Sequence, residues 1–306
     1  MENIITITLN PAIDKSTTAP FIAPEKKIRC APPKFEPGGG GINVSRALKK
    51  LGGASTAIFL AGGHTGKFLE SLIKQEGIDC VVIPINAYTR ENLIVMDESN
   101  DQQYRFGMPG PSLQENEWRK CLDLLKTSNY EYAVISGSNP SGVPPDFYSE
   151  AAEIIKHKNA KFIADTSGET LRHALRAGVY LAKPNIGELS SLAGVKELDS
   201  RSIVEAARYV ISNGKCEVMV VSMGPSGAML ITATEKYFEA APAIKKKSTV
   251  GAGDSMVAGV LWAISKKLGW KDVLRYGIAC GTAATINAGT ALCAKEDVEK
   301  IYSFFQ

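Results

Sequence analysis

Hydrophobic and polar residues along this chain follow two alternating periods. Ile4–Leu9 alternates isoleucine with threonine, which is the two-residue period of a strand. Further short apolar runs predict strands at Ala57–Leu60, Cys80–Ile85, Tyr132–Ser136, Lys161–Asp165, Tyr180–Lys183 and Val218–Ser222. Between them, segments with a helical period occur at Gly41–Leu51, Gly66–Gln75, Pro144–His157, Gly168–Ala177 and Ser200–Asn213. The alternation predicts an α/β fold in which a mostly parallel sheet is covered by helices on both faces.

The C-terminal part of the chain, from about Gly251, is mostly helical. Its apolar pattern predicts helices at Asp254–Lys267, Trp270–Asn287 and Ala294–Phe305. The sequence contains no repeat, no low-complexity segment and no obvious linker. The 306 residues are therefore expected to form a single α/β domain, residues 1–306.

Two segments interrupt the alternation with short extended runs. Residues 15–34 combine proline, threonine, lysine and isoleucine, and residues 92–106 predict a strand, a turn and a second strand. Both are interpreted as antiparallel β elements inserted between strand–helix units. We expect them to form a small β-sheet lid over the mouth of the main sheet, built from inserted segments at about 15–36 and 88–108.

Composition and charge exclude several classes of protein. Hydrophobic residues make up 44% and charged residues 22% of the chain, as in an ordinary soluble globular protein. The net charge of +3 is too small and too dispersed to indicate a nucleic-acid partner. No signal-peptide pattern and no apolar run of membrane-spanning length occurs, so no membrane association is expected. The six cysteines are scattered without a CxxC pair, which favours reduced thiols in a cytoplasmic protein.

Four consecutive glycines, Gly38–Gly41, form the first candidate site. Such a run costs backbone entropy and is typical of a segment that must approach a ligand closely. It leads into a predicted helix, whose free N–H groups would face a polar or anionic ligand, and Asn43 could bind a sugar hydroxyl. A tight turn is the structural alternative. A dinucleotide-binding loop is not favoured, because its glycines directly follow the first strand.

The segment Thr249–Met256 carries the strongest signal. Gly251-Ala252-Gly253 precedes Asp254 at the start of an apolar helix. Backbone N–H groups there would form an anion hole, and the carboxylate would accept a proton from an attacking hydroxyl. Phosphoryl transfer requires little else from a protein. Asp254 as an ordinary N-cap is the alternative, but an N-cap would not account for the glycines before it.

Together the two glycine segments resemble the ribokinase (PfkB) family of carbohydrate kinases. Three further segments match motifs of that family in the same order, so that the resemblance covers essentially the whole chain: Leu9–Asp14, Lys183–Glu188 and Ser222–Ala228. The resemblance implies a ribokinase-like three-layer α/β/α fold with a small β-sheet lid. It also implies ATP-dependent phosphorylation of a phosphorylated hexose. Lys27–Cys30 and Gln103–Phe106 are most similar to the members that convert fructose 6-phosphate to fructose 1,6-bisphosphate.

The resemblance implies a role for each motif residue. Asp254 would be the catalytic base, and the amides of Gly251, Ala252 and Gly253 would stabilise the transferring phosphoryl group. The residues implied for the sugar are Asp14, Gly38, Gly39 and Asn43, and those implied for its phosphate are Lys27, Arg90, Arg105 and Ser138. The residues implied for ATP are Lys183, Asn185, Ser222, Gly224 and Gly227. For any single cation of the phosphate set, a solvated surface charge is the competing interpretation.

Metal ions and a second subunit also follow from the resemblance. Asn185 and Glu188 would help to hold Mg²⁺ through water, with a helix first-turn acid as the other role for Glu188. K⁺ would be bound mainly by backbone oxygens of Ser248, Val250, Ala284, Asn287 and Gly289. The fructose 6-phosphate kinases have an arginine where Ala291 stands, a change that leaves backbone ligation intact. Relatives pair their lids, so a homodimer through the lid is expected, on a partly apolar face that includes Phe21, Ile28, Cys30, Leu93 and Val95.

Several functions remain open on the sequence alone. A tagatose-6-phosphate kinase or a 1-phosphofructokinase would share these motifs, because the sugars differ by one stereocentre or by the phosphate position. A non-catalytic sugar-phosphate sensor would share the fold, although the intact Asp254, Asn185 and Glu188 favour catalysis. An NAD-dependent oxidoreductase is not favoured, because the glycines lie too far from the first strand.

Overall fold

The computed structural model describes residues 3–287 and 289–305 and contains two β-sheets. The main sheet has nine strands in the order β13-β12-β11-β10-β9-β8-β1-β4-β5, and the small sheet has four in the order β3-β2-β6-β7. The strands are β1 (Ile4–Thr8), β2 (Ala12–Ala19), β3 (Lys34–Gly38), β4 (Thr56–Ala61), β5 (Asp79–Pro84), β6 (Arg90–Asp97), β7 (Gln102–Phe106), β8 (Tyr132–Ser136), β9 (Lys161–Asp165), β10 (Val179–Ala182), β11 (Cys216–Ser222), β12 (Ala228–Ile231) and β13 (Lys236–Glu239).

Helices cover both faces of the main sheet, which confirms the expected ribokinase-like α/β/α class. They are α1 (Gly40–Lys50), α2 (Gly63–Gln75), α3 (Glu115–Thr127), α4 (Asp146–His157), α5 (Gly168–Ala177), α6 (Ile186–Ala193), α7 (Ser200–Ser212), α8 (Ala252–Ser265), α9 (Trp270–Ile286) and α10 (Lys295–Ser303). One buried cluster packs α3, α4, α5, α6 and α7 on one face, and a second packs α1, α8, α9 and α10 on the other. Along the described parts of the chain, no helix combines the length and apolar composition that a membrane crossing requires.

Seven neighbouring strands of the main sheet, from β11 to β5, pair in parallel. The other two, β12 and β13, add an antiparallel edge that the sequence pattern did not predict. Because the strands run in parallel, the carboxyl ends of β9, β10 and β11 lie along one edge of the sheet. Side chains that follow those strands are thereby brought together, as ligand-binding groups are in other α/β sheets.

The small sheet contains the two predicted antiparallel elements and one pairing that the sequence pattern did not predict. β2 pairs antiparallel with β3, and β6 pairs antiparallel with β7, as expected. The two antiparallel pairs join through a parallel pair of β2 with β6. A parallel pair forms because both β2 and β6 leave the same edge of the main sheet, after β1 and after β5.

The outer face of the small sheet was expected to be partly apolar. Val95, expected on that face, is buried, whereas Phe21 and Cys30 are exposed.

A third buried cluster attaches the small sheet to the main one. Ile13 of β2 and Ile42 of α1 pack with Phe59 of β4 and with Leu69 and Ile73 of α2. All five side chains are essentially removed from water. Position and orientation of the small sheet therefore depend on this apolar contact.

Truncating Phe59 is expected to lower stability far more than truncating a matched phenylalanine at the sheet edge. Phe59→Ala should cost about 3–5 kcal/mol, because a fully buried ring leaves a cavity. Phe238→Ala is the control, since Phe238 of β13 is 53% exposed and should cost less than about 1 kcal/mol. Urea denaturation of both variants measures the difference, and equal losses would contradict the assignment of Phe59 to a packed core.

Candidate active site

Three polar residues meet at the carboxyl edge of the main sheet. Asp165 ends β9, Lys183 directly follows β10 and Ser222 ends β11. The Lys183 ammonium lies 3.0 Å from a carboxylate oxygen of Asp165, and both side chains are largely buried. Burial alone would lower the pKa of Lys183, but the charge of Asp165 outweighs it and the pKa is raised. Lys183 is therefore held as a cation, which suits a group that faces phosphate.

Asp254 lies in the first turn of α8, whose N-cap is Gly251. Gly251 has φ 73°, and a side chain there would collide with Leu292, so the left-handed turn requires glycine. Asp254 does not cap the helix. Its Oδ2 instead accepts a hydrogen bond from Asn43 Nδ2 at 2.9 Å, across 211 positions of sequence. The N-cap interpretation is therefore wrong, and the two glycine segments meet at this carboxylate.

The surroundings of Asp254 raise the pKa of its carboxyl group towards neutral pH. Loss of contact with water and the nearby charge of Asp165 raise the pKa of Asp254 to about 7, against the opposing effects of Asn43 and Lys183. An ideal general base has a pKa near the working pH. The geometry around Gly253 agrees with this role: a β-carbon on that residue would lie 3.4 Å from Lys183 Nζ, so the ammonium lies beside the start of α8.

The first glycine segment lies against the predicted sugar-binding acid. Asp14 on β2 is buried and pairs in register with Glu36 of β3, and its carboxylate reaches Gly38, two positions further along β3. A β-carbon on Gly38 would lie 2.5 Å from Asp14 Oδ2, so only glycine leaves room for this carboxylate. Asp14, Gly38, Gly39 and Asn43 are thus brought together within one turn of the start of α1.

A buried arginine, Arg46, links this region to three other parts of the chain. Its side chain is 2% exposed, and it makes a bidentate pair with Glu76 at 2.7–3.0 Å. Its Nη1 donates to the carbonyl oxygens of Pro37 at 2.9 Å and Thr290 at 3.1 Å, and to Asn43 Oδ1 at 3.3 Å. Asn43 in turn holds Asp254. One guanidinium therefore fixes the glycine segment, the start of α1 and the loop after α9 relative to the candidate base.

An apolar cleft of about 480 Å³ opens beside the start of α8. Its wall includes three residues predicted for ATP, Ser222, Gly224 and Gly227, together with Ala252 and Gly253. Its other lining residues are mainly apolar: Ala241, Pro242, Ile244, Met256 and Ile278. A cleft with an apolar interior that ends at free helix N–H groups matches a nucleotide, which has a flat base at one end and phosphates at the other.

Asn185 and Glu188 form a reciprocal pair at the start of α6. Asn185 Oδ1 accepts from the Glu188 N–H, and Glu188 Oε2 accepts from the Asn185 N–H, both at 2.8 Å. The structural alternative considered for Glu188, an acid in the first turn of a helix, is therefore true. Because the Glu188 carboxylate and the Asn185 amide oxygen have further lone pairs, this pair leaves room for water-mediated contact with a metal ion. Among the described residues, no group of three acidic, histidine or cysteine side chains could hold a metal ion.

The residues predicted for the sugar phosphate are less closely assembled. Arg90 donates from Nη1 to Met108 O and from Nη2 to Asn10 O, both at 3.0 Å, and its buried Nε has no partner. Asn10 Nδ2 donates to Ser138 Oγ at 2.9 Å, which connects Arg90 to Ser138. Lys27 and Arg105 are exposed. Within residues 3–287 and 289–305, no hydrogen bond or ion pair joins these two cations to Arg90.

The sequence pattern missed three residues of this site. Asp165, Arg46 and Asn92, which donates to Asp14 Oδ1 at 2.8 Å, lie outside the motif positions that were assigned roles. Asp165 had a usable signal, because an acid that ends a predicted parallel strand points to the ligand-binding edge. Arg46 and Asn92 carried none, since each resembles an ordinary surface residue of a helix or strand.

Comparison with known proteins agrees with the fold and site. Residues 4–297 match the pfkB family of carbohydrate kinases. The chain is 41% identical to the ATP-dependent 6-phosphofructokinase isozyme 2 of Escherichia coli, over 99% of both chains. It is 34% identical to the 1-phosphofructokinase of Borreliella burgdorferi, over 97% of this chain and 96% of that one.

A solved structure shows the same architecture. The phosphofructokinase-2 of Escherichia coli in complex with potassium superposes with a TM-score of 0.96, at 41% identity and 99% coverage of each chain. The protein therefore belongs to the pfkB family and is a carbohydrate kinase.

Replacing Arg46 is expected to destabilise the protein more than breaking an exposed ion pair. Arg46→Met should cost about 3–5 kcal/mol, because it leaves the Glu76 carboxylate and two buried carbonyl oxygens without their charged donor. Arg201→Met is the matched control: its pair with Glu205 is 88% and 65% exposed and should contribute below about 1 kcal/mol. Urea denaturation of the two variants measures both losses. Similar losses would show that the Arg46 network does not hold the site together.

Proposed function

We propose that this protein is an ATP-dependent 6-phosphofructokinase. It transfers the γ-phosphoryl group of ATP to fructose 6-phosphate and releases ADP and fructose 1,6-bisphosphate. The observation that carries the proposal is the position of Asp254: a carboxylate with a raised pKa, fixed by Asn43, lies between an apolar cleft and the sugar-facing residues. Full-length identity of 41% to a 6-phosphofructokinase supports the choice of sugar.

The cleft would receive the nucleotide. Ser222, Gly224 and Gly227 would contact ATP along the loop between β11 and β12, and the apolar residues would enclose the base. Lys183, with its raised pKa, and Asn185 would lie nearer the phosphates. The backbone N–H groups at the start of α8 would then donate hydrogen bonds to the γ-phosphate.

Transfer requires one proton movement by the protein. Asp254 takes the proton of the attacking sugar hydroxyl. The oxygen of that hydroxyl bonds to the γ-phosphorus, and the bond from the γ-phosphorus to the oxygen of ADP breaks. The amides of Gly251, Ala252 and Gly253 stabilise the charge on the phosphoryl oxygens. Asn43 donates to Oδ2, so the carboxylate keeps Oδ1 free for the proton.

The sugar would be held from two directions. Asp14, Gly38, Gly39 and Asn43 would bind its hydroxyls. Its 6-phosphate would bind Lys27, Arg90, Arg105 and Ser138, of which Arg90 has a buried Nε still available to donate. The segments at about 15–36 and 88–108 would form the lid of this single domain and exclude water during transfer.

Magnesium would supply charge neutralisation on the phosphates of the nucleotide. Asn185 and Glu188 would hold it through water, which fits an ion that keeps several waters and needs few protein ligands. Potassium would be bound by backbone oxygens of Ser248, Val250, Ala284, Asn287 and Gly289. The fit of that set is supported by the hydrogen bonds of Lys247 N and Ser248 N to Thr285 O, at 2.8 and 3.3 Å, because they hold the loop before α8 against the end of α9.

The protein would work as a cytoplasmic homodimer paired through its small sheets. Phe21, Tyr104, Phe106 and Met108 are each between 38% and 46% exposed on or beside that sheet. Exposed apolar side chains on so small a sheet favour burial against a second copy. No nucleic-acid or membrane partner is proposed.

Two other functions remain as candidates. A tagatose-6-phosphate kinase or 1-phosphofructokinase would use the same base and cleft. The 34% identity to a 1-phosphofructokinase supports the second of these as a candidate. A sugar-phosphate sensor without activity is less favoured, because a sensor has no need of a base with a pKa near 7.

Activity on a panel of sugars tests the reaction and the base together. Release of ADP with Mg-ATP should give the highest kcat/KM for fructose 6-phosphate, above tagatose 6-phosphate, fructose 1-phosphate and fructose. Asp254→Asn should lower kcat by about 10²–10⁴-fold, since general-base catalysis contributes that much. A preference for another sugar phosphate would change the substrate and keep the mechanism. Absence of turnover with sugar binding retained would instead favour the sensor.

The pH dependence of kcat/KM should report the raised pKa of Asp254. The base must be ionised, so activity should fall tenfold per pH unit below about pH 7. The substrate phosphate itself titrates near pH 6, so the variant Asp165→Asn separates the two. Because it removes a repelling charge, it should move the acid limb to lower pH, whereas a limb due to substrate would not move. A wild-type limb below about pH 5 would contradict the assignment of the base.

A further inference from the structure

Asn92 directly contacts Asp14, the acid proposed to bind the sugar. Parallel pairing of β2 with β6 makes Asp14 and Asn92 partners in register. Asn92 Nδ2 donates to Asp14 Oδ1 at 2.8 Å. The other oxygen, Oδ2, lies against Gly38, where a β-carbon would be 2.5 Å away. Asp14 is therefore held between a hydrogen bond on one side and a close backbone contact on the other.

The opposite end of the Asn92 amide holds the segment after β7. Asn92 Oδ1 accepts from the N–H of Met108 at 3.1 Å. Arg90, two positions earlier and so on the same face of β6, donates to the carbonyl oxygen of Met108 at 3.0 Å. Both polar groups of Met108 are thus fixed by neighbouring side chains of one strand.

From Arg90 the contacts continue to the residue expected at the sugar phosphate. Arg90 Nη2 donates to Asn10 O at 3.0 Å, and Asn10 Nδ2 donates to Ser138 Oγ at 2.9 Å. An unbroken series of hydrogen bonds therefore runs from Asp14 through Asn92, the Met108 backbone, Arg90 and Asn10 to Ser138.

We propose that Asn92 is a positioning residue for the sugar phosphate: it aims the Asp14 carboxylate at the sugar and couples it to the backbone at Met108. The inference rests on the proposed function, because Asp14 must bind the sugar. Because its amide is engaged by Asp14 and Met108, Asn92 would act through Asp14 and not by contacting the sugar.

A neutral amide suits this position better than a cation would. Burial raises the pKa of Asp14, and the Asn92 hydrogen bond opposes that rise, so the amide favours the ionised form. A lysine or arginine in its place would neutralise the carboxylate and compete with the sugar hydroxyls. The other charges that bear on Asp14 are Arg90 from β6, Arg46 from α1, Glu36 from β3 and Asp254 from α8.

The isosteric variant Asn92→Asp gives a specific test. It replaces the donor with a carboxylate that faces Asp14, and two carboxylates at that distance share one proton at lower pH. Calorimetric titration with fructose 6-phosphate should show Kd about 10- to 100-fold above wild type at pH 8, the loss expected for one hydrogen bond to a charged group. The difference should shrink towards pH 5.5, where the shared proton restores a donor.

Two further variants keep the result interpretable. Asn92→Ser removes the long amide without adding charge, so its Kd should rise without recovery at low pH, even if Asn92→Asp folds poorly. Asn116→Asp, on the exposed start of α3, is the matched control and should leave Kd unchanged. Thermal melting should show the control and Asn92→Ser folded, and the Kd for Mg-ATP should stay within about twofold in every variant.

Each outcome decides one question. A Kd for fructose 6-phosphate unchanged by both Asn92 variants would overturn the inference, and so would an equal loss of Mg-ATP affinity, which would indicate general collapse of the site. If wild-type protein neither binds nor phosphorylates fructose 6-phosphate, the proposed function fails instead, and the same titration with tagatose 6-phosphate and fructose 1-phosphate then tests Asn92 on whichever sugar binds.

Discussion

A guanidinium almost wholly removed from water is the constraint on which the arrangement of this site depends. A buried cation is tolerated only when its donors are matched by acceptors, and the acceptors of Arg46 come from the glycine segment, the start of α1, the end of α2 and the loop after α9. These parts are therefore fixed relative to one another. Asn43 extends the constraint to Asp254. The candidate base and the glycine segment are in this way held as one unit.

The two sheets divide the work of the site. The main sheet is mostly parallel, and its carboxyl edge carries Asp165, Lys183 and Ser222, of which the last two are proposed to face the nucleotide. The small sheet carries Asp14, which is proposed to bind the sugar. Phosphoryl transfer depends chiefly on positioning and charge. A main sheet and an inserted small sheet that meet near the Asp254 carboxylate therefore suffice for the proposed chemistry.

Most of the fold could be predicted from the sequence, because the strands and helices of the main layer carry clear periods. Helices α3 and α6 were missed, since each is short or mainly polar between loops. The parallel pair of β2 with β6 could not be predicted, because register between distant segments depends on where both leave the main sheet. The glycine run and the Gly251–Asp254 segment stood out because glycine or an acid breaks a local rule there, whereas the other candidate residues followed from the family resemblance. Arg46 and Asn92 break no local rule, and their place in the site depends only on contacts made across the chain; Asp165 could have been found from its position at the end of a predicted strand.

Parallel pairing of β2 with β6 also bears on biosynthesis. β2 and β3 are complete long before the ribosome has made β6, so one side of β2 must remain unpaired while β4, α2 and β5 are added. An unpaired strand edge invites association with other nascent chains. The composition of β2 counters that hazard, since it carries Asp14, Lys15, Ser16, Thr17 and Thr18 in succession. The polar composition of the strand that carries Asp14 therefore limits such association until β6 has been made.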